Sequence, residues 1–193
     1  NYLVDMLKTS YNIQACPNGK DALIIIREFN PDLVISDIMM PEMSGDELCS
    51  AIKGDLEMSH IPVVLLPALG DEKNMLEGLE IGADAYITKP FSVGILKATI
   101  KNLLANRALL RQVYNSIEEE EQKFAVNCTN TLDWKFIASV KECIEKNMSD
   151  PDFNVEMLSS RHHMSRTSFF NKLKVLTGYA PADYIRMIRL QQT

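Results

Sequence analysis

Three short apolar runs, each followed by a turn and a helical stretch, constrain this 193-residue chain more than any other feature. They are Leu33 to Ser36, Pro62 to Leu66 and Ala85 to Thr88. Each is too short for a buried helix and rich in branched residues, so each reads as a buried strand. Between them lie helical patterns at Lys20 to Phe29, Gly45 to Lys53 and Asp71 to Ile81, with a long one from Ser92 onward. Leu48 and Ile52 share one face of the second. Tyr11 to Cys16 alternates as a further strand before the turn Pro17-Asn18-Gly19, and Tyr2 to Leu7 carries a short helical pattern. Strand-helix alternation of this kind implies α/β architecture, a doubly wound parallel sheet with right-handed crossovers.

Open α/β sheets place their chemistry at the carboxyl ends of the strands. Asp37 follows the Leu33–Ser36 run in the text L-V-I-S-D-I-M-M-P-E-M-S-G, and Lys89 follows Ala85–Thr88 in G-A-D-A-Y-I-T-K-P-F. A carboxylate facing a lysine across two strand ends can accept a phosphoryl group: the carboxylate attacks and the ammonium neutralises the transferred charge. Alone, Asp37 would read as a turn or capping residue. The two motifs together favour the acceptor.

From Leu132 the pattern becomes helical throughout. Leu132 to Asn147 is amphipathic through Trp134, Ile137, Val140 and Ile144. Val155 to Arg161 and Ser165 to Thr177 are shorter helices separated by a tight turn, with Ser165 as N-cap and Gly178 as stop. Pro181 opens a last helix. Two short helices around a tight turn form a helix-turn-helix pattern. Phe169, Phe170, Leu173 and Leu176 read as its inward face.

Charge divides along the same line. The net charge is -5 over residues 1–113, -3 over 114–131 and +2 over 132–193. An acidic front and a basic tail suit a signalling module joined to a nucleic-acid-binding one. The expected organisation is therefore 1–113, a linker at 114–131 that includes the solvated run Glu118–Glu121, and 132–193. The final helix of the first part extends through Leu109, Leu110 and Val113 toward that linker. No apolar run approaches the roughly 20 residues that span a bilayer, and the four cysteines lack metal-ligand spacing, so the chain reads as cytoplasmic with reduced thiols. His60 reads as a loop residue. His162 and His163 read as turn or phosphate-contacting residues, and the ten methionines as core filler.

On these motifs residues 1–113 resemble a response-regulator receiver domain of flavodoxin-like fold. The resemblance implies Asp37 as phosphoacceptor, Lys89 as the lysine on the phosphoryl group, a cis peptide bond at Pro90 and Tyr86 as the aromatic switch. It also implies Mg²⁺, held in part by Asp37 and the backbone carbonyl of Met39, and a histidine kinase as donor. Residues 132–193 resemble the first helix-turn-helix and connecting helix of an AraC-type DNA-binding domain, through M-S-R-T-S-F-F-N-K-L-K-V-L-T-G-Y-A-P-A-D-Y-I-R-M-I-R-L, Met164 to Leu190. That implies DNA contacts from Ser165, Arg166, Thr167, Ser168, Asn171 and Lys172. The order of parts resembles hybrid two-component regulators, which are expected to act as homodimers. No kinase motif lies in the chain, and an enzymatic role is not expected.

Two departures qualify the resemblance. The family's acidic pair, at the end of its first strand, has no counterpart, so the amino end reads as truncated, with the sheet left gapped, rearranged or swapped. Pro67 stands where the family carries a Thr or Ser whose hydroxyl reads the phosphoryl group; proline has neither hydroxyl nor N–H. Pro67 favours a rival reading, a phosphate-independent pseudo-receiver that dimerises the DNA-binding part. A haloacid-dehalogenase-type hydrolase is disfavoured, because Met39 occupies the place of its second Asp.

Overall fold

The computed structural model describes residues 2–70, 81–115 and 131–191. The chain forms two compact units, Asn1–Gly54 with Ile61–Leu104, and Asp55–His60 with Ala105–Thr193. The expected helix over Asp71–Ile81, the linker and Glu118–Glu121 fall wholly or largely outside the described residues.

In the first unit the order is α1 (Tyr2–Leu7), α2 (Gly19–Phe29), β1 (Val34–Asp37), α3 (Gly45–Gly54), β2 (Val63–Leu66), β3 (Ala85–Tyr86) and α4 (Val93–Asn115), which continues into the second. The described strands form a parallel sheet, β1-β2-β3, with Asp37 opposite Leu66 and Tyr86 opposite Leu65. β2 is buried along its whole length, as a central parallel strand flanked on both faces must be. Helices α2 and α3 turn Ile26, Leu48, Cys49 and Ile52 inward. Asn18 caps α2 by accepting the Asp21 N–H at 2.8 Å, and Ser44 and Glu47 close a reciprocal capping box at the start of α3. The Asp84 carboxylate accepts the Val63 N–H at 2.8 Å and pairs with Lys53 at 2.6 Å, tying the start of β2 to the segment before β3.

One element departs from expectation. Residues 11–16 alternate as a strand would, yet form no regular strand. A strand is completed by a neighbour's ladder, and no described strand lies beside this segment. Among the described residues the sheet therefore ends at β1.

The second unit is helical among its described residues: α5 (Thr131–Lys146), α6 (Val155–Arg161), α7 (Arg166–Thr177) and α8 (Pro181–Gln191). Phe136, Val140, Leu158, Phe169, Leu173, Tyr184 and Ile188 share its core. Asn154 caps α6 and Ser165 caps α7, while Gly178 ends α7 in the left-handed conformation at φ 82°. His162 sits in the turn between α6 and α7, its ring against Phe136 and Phe169 and Nδ1 2.8 Å from the Leu158 carbonyl. That is a structural role, as the turn reading expects. Phe170 departs from the inward-face reading: it is exposed, with the Lys174 ammonium 5.7 Å from its ring centroid. No described helix is long and apolar enough to cross a membrane.

Candidate functional site

Parallel pairing carries Asp37 and Lys89 to the same end of the sheet. β1 ends on Asp37. Beyond β3 the chain stays bonded to β2, Ile87 N–H to the Leu65 carbonyl at 3.0 Å and Lys89 N–H to the Pro67 carbonyl at 2.8 Å. Lys89 is thereby held beside Asp37, and its ammonium donates to the Asp37 carboxylate. The two side chains keep 38% and 43% of their surface exposed, so solvent reaches both. The Lys89–Pro90 peptide bond is cis, as the resemblance implies.

The loop after β1 folds back tightly. Gly45 N–H donates to the Ile38 carbonyl at 2.9 Å, and a Cβ on Gly45 would stand 2.2 Å from the Asp37 carbonyl oxygen. Only glycine permits this approach, so Gly45 sets how α3 meets the acceptor strand. Sequence reasoning quoted this glycine without seeing its role; its place directly after Ser44, the partner in the capping box, was the available signal. Glu42, at φ 64°, turns the same loop, and Met39 is 77% exposed.

Pro67 is buried, and its carbonyl is the Lys89 anchor just described. Tyr86 lies half-buried in β3, and its hydroxyl is buried without a hydrogen-bond partner. Burial, reinforced by Cys49 and Asp46, pushes that phenol up to about 12. Burial likewise raises the Cys49 thiol to about 11, which makes it an inert core cysteine.

The Mg²⁺ reading meets a limit in the donor set. Mg²⁺ demands a near-octahedral shell of oxygens. Among the described residues no three His, Cys, Asp or Glu side chains converge to hold a metal, and the Asp37 carboxylate is engaged by Lys89. Asp37 and the Met39 carbonyl do not complete a Mg²⁺ site by themselves.

In the second unit the six residues expected at DNA separate. Ser165, Arg166 and Thr167 are exposed around the start of α7, and Ser168 and Asn171 are half-buried. Ser165 spends its hydroxyl as the cap, accepting the Ser168 N–H at 3.0 Å. Lys172, expected at a DNA phosphate, is instead wholly buried. Its ammonium pairs with Asp133 of α5 at 2.7 Å, donates to Ser59 Oγ at 2.8 Å and to the Leu56 carbonyl, and lies 5.0 Å from the centroid of the Phe136 ring. Burial pushes this ammonium below its ordinary value against the opposing pull of Asp133. A charge so enclosed does not present itself to a phosphate. The exposed cation on α7 that sequence reasoning passed over is Lys174.

Comparison with known proteins agrees with the first unit's geometry. The family model of the response regulator receiver domain matches residues 1–101. The chain belongs to the response regulator receiver family. A solved receiver domain of a signal transduction histidine kinase from Syntrophus aciditrophicus is 40% identical, with a TM-score of 0.52, over 54% of this chain and 80% of that one. A protein of Formosa agariphila named Histidine kinase P4 is 39% identical over 191 residues, which is 99% of this chain and 14% of that protein. A Porphyra purpurea protein named probable transcriptional regulator ycf27 is 42% identical over 94 residues, 49% of this chain and 37% of its own length. This receiver therefore spans only a small part of the kinase it resembles along nearly its whole length, and about a third of the regulator.

Proposed function

We propose that Asp37 is the phosphoacceptor of a two-component transcription regulator and that the second unit binds DNA. The observation that carries the acceptor reading is the exposed Asp37–Lys89 pair at the carboxyl end of a parallel sheet. In the proposed step, an Asp37 carboxylate oxygen forms a bond to phosphorus as the P–N bond of a kinase phosphohistidine breaks. The electron pair passes to the imidazole nitrogen, which takes a proton from water. Lys89 leaves the free carboxylate and follows the charge onto the transferred phosphoryl oxygens. The added charge then shifts the receiver face, dimer geometry and presentation of α7. Tyr86 would serve as the aromatic switch.

DNA contact is supported by the helix-turn-helix pattern of α6 and α7, by the basic excess from Arg161 onward and by the exposure of Arg166 and Thr167. Arg166 suits a guanine edge, Asn171 an adenine edge and Thr167 a phosphate, whereas Ser165 caps α7 and the Ser168 hydroxyl donates to the Glu57 carboxylate at 3.1 Å, so these two reach DNA only by giving up those bonds. Lys172 leaves this set. The domain limits 1–113, 114–131 and 132–193, the cytoplasmic setting and the homodimer belong to the same proposal.

The acceptor reading is tested by extending the chain at its amino end with the strand and acidic pair that the resemblance implies, incubating it with acetyl phosphate and Mg²⁺ and measuring intact mass. One phosphoryl adduct is expected, and none in Asp37→Asn. An adduct that survives Asp37→Asn would overturn the assignment. Pro67 favours a second reading. Because the position offers a buried ring rather than a hydroxyl, the unit could serve as a phosphate-independent dimerisation module. In that reading no adduct forms and Asp37→Asn leaves both DNA affinity and oligomeric state unchanged.

A further inference from the structure

Helix α7 has two sides engaged and one side outward. Phe169, Leu173 and Leu176 enter the core of the helical unit. Ser168 and Lys172, one turn apart on a second side, are held as well: the Ser168 hydroxyl donates to the Glu57 carboxylate, and Lys172 pairs with Asp133. The remaining side carries Thr167, Phe170, Asn171 and Lys174. Their spacing, i, i+3, i+4 and i+7, is that of a single helix face. Thr167, Phe170 and Lys174 are exposed on it, and Asn171 is half-buried.

An aromatic ring stands in the middle of this outward face. Phe170 keeps 38% of its surface exposed and is not among the side chains that fill the core. The Lys174 ammonium lies 5.7 Å from its ring centroid, Thr167 precedes it by one turn and Asn171 follows it directly. Lys174 suits a phosphate and Asn171 an adenine edge, so the polar part of the face matches a duplex. The apolar part needs an apolar partner. Among the base edges of the major groove only thymine offers one, its 5-methyl group. Against any other base edge the ring would displace water from polar groups and return no hydrogen bond.

We infer that Phe170 is a specificity-determining residue that packs on the methyl group of a thymine in the major groove, next to the base read by Asn171. The inference rests on the DNA-binding reading and adds to it one base and one group on that base. It also explains why an apolar side chain occupies a helix face whose other members are polar or charged.

The test selects a duplex from a random pool with the 193-residue chain and measures binding by anisotropy at low salt, where phosphate contacts are strongest. Each thymine of that duplex is replaced in turn by deoxyuridine, which removes the methyl group and keeps every hydrogen-bonding group. At one position the replacement should weaken binding about fourfold, the effect of leaving one methyl group unburied. Phe170→Ala should bind the thymine and uracil forms of the duplex equally, and should fold, because the ring lies outside the core. Should it not fold, a second measurement uses the unaltered chain: 5-iododeoxyuridine at the sensitive position, irradiated, should crosslink to Phe170, as read by peptide mass. A methyl effect that persists in Phe170→Ala, or a crosslink to another residue, would overturn the inference. Unchanged DNA binding in Phe170→Ala together with lost self-association would mark Phe170 as a contact between copies and overturn it too. If no duplex emerges from the pool, the DNA-binding reading fails and this inference with it. A selected duplex that tolerates deoxyuridine at every thymine defeats this inference alone.

Discussion

Two aspartate–lysine pairs, one in each unit, look alike as chemistry and differ in what they can do. Asp37 and Lys89 meet at the end of a sheet with more than a third of each side chain exposed. Asp133 and Lys172 meet inside the helical unit with 6% and 0% exposed. In the proposed function the first pair exchanges its partner for an incoming phosphoryl group, and water already reaches it. The second cannot be opened without leaving a buried charge that keeps only the Ser59 hydroxyl or the Leu56 carbonyl as partner, so it acts as an internal tie between α5 and α7. Exposure, rather than residue identity, separates a reactive pair from a structural one.

The sharpest contrast comes from breaking each pair on one side. Lys172→Met leaves the Asp133 carboxylate buried without its cation, held only by the Ser59 hydroxyl at 2.8 Å, and should cost about 3–5 kcal/mol of stability in urea unfolding. Replacing both partners, Lys172→Met with Asp133→Leu, should recover most of that loss. A double variant as unstable as the single would show that the pair is not a self-contained tie.

Lys89→Ala should leave the urea midpoint nearly unchanged, as expected for an exposed pair. Instead it should slow adduct formation on Asp37 by about 10²-fold, the usual effect of removing one charge-stabilising donor. Equal rates with and without the lysine would reduce Lys89 to a surface residue.

On DNA, the same divide predicts that Arg166→Ala weakens binding by about 1–3 kcal/mol and relaxes preference at one base position, measured by anisotropy on a duplex selected from a random pool. Lys174→Ala should instead weaken binding evenly across sequences and lower the salt slope by about one. Loss of base preference from Lys174→Ala would reverse these roles.

The smallest expected effect is in the pH profile. Burial holds the Lys172 ammonium below its ordinary value in the folded chain. Between that lowered value and the unfolded value of about 10.4 the unfolded chain binds more protons, so stability should rise with pH across this alkaline window. The rise should vanish in the Lys172→Met, Asp133→Leu double variant. A profile that both proteins share would assign it to other groups.

Much of the first unit was legible beforehand. Short branched apolar runs bounded by Gly and Pro marked β1, β2 and β3 to within a residue or two, because a parallel strand buried on both faces has few other compositions. Asp37 and Lys89 were legible because each ends such a run. The segment 11–16 was misread for a definite reason: alternation makes a strand possible, but a strand exists only where a neighbour completes its hydrogen bonds. Gly45 was on the page as a letter, yet its necessity arises from the carbonyl of Asp37, eight residues earlier, passing over its Cα.

In α7 the helical period separated Phe169, Leu173 and Leu176 from Arg166 and Thr167 correctly. It misjudged Lys172, which lies beside that apolar stripe and whose partner Asp133 is on α5, two helices earlier in the sequence. Phe170 erred the other way, apolar by letter and exposed in fact.

By itself the sequence determined the strand-helix order, the parallel sheet and the two residues at its carboxyl end, because local pattern and chain connectivity suffice for those. Only the tertiary structure decided that Asp37 and Lys89 actually meet, that Lys172 is enclosed rather than offered to DNA, and that residues 11–16 form no regular strand. Those outcomes depend on which distant surfaces exclude water and which backbone groups find partners, and neither is written in any single stretch of the chain.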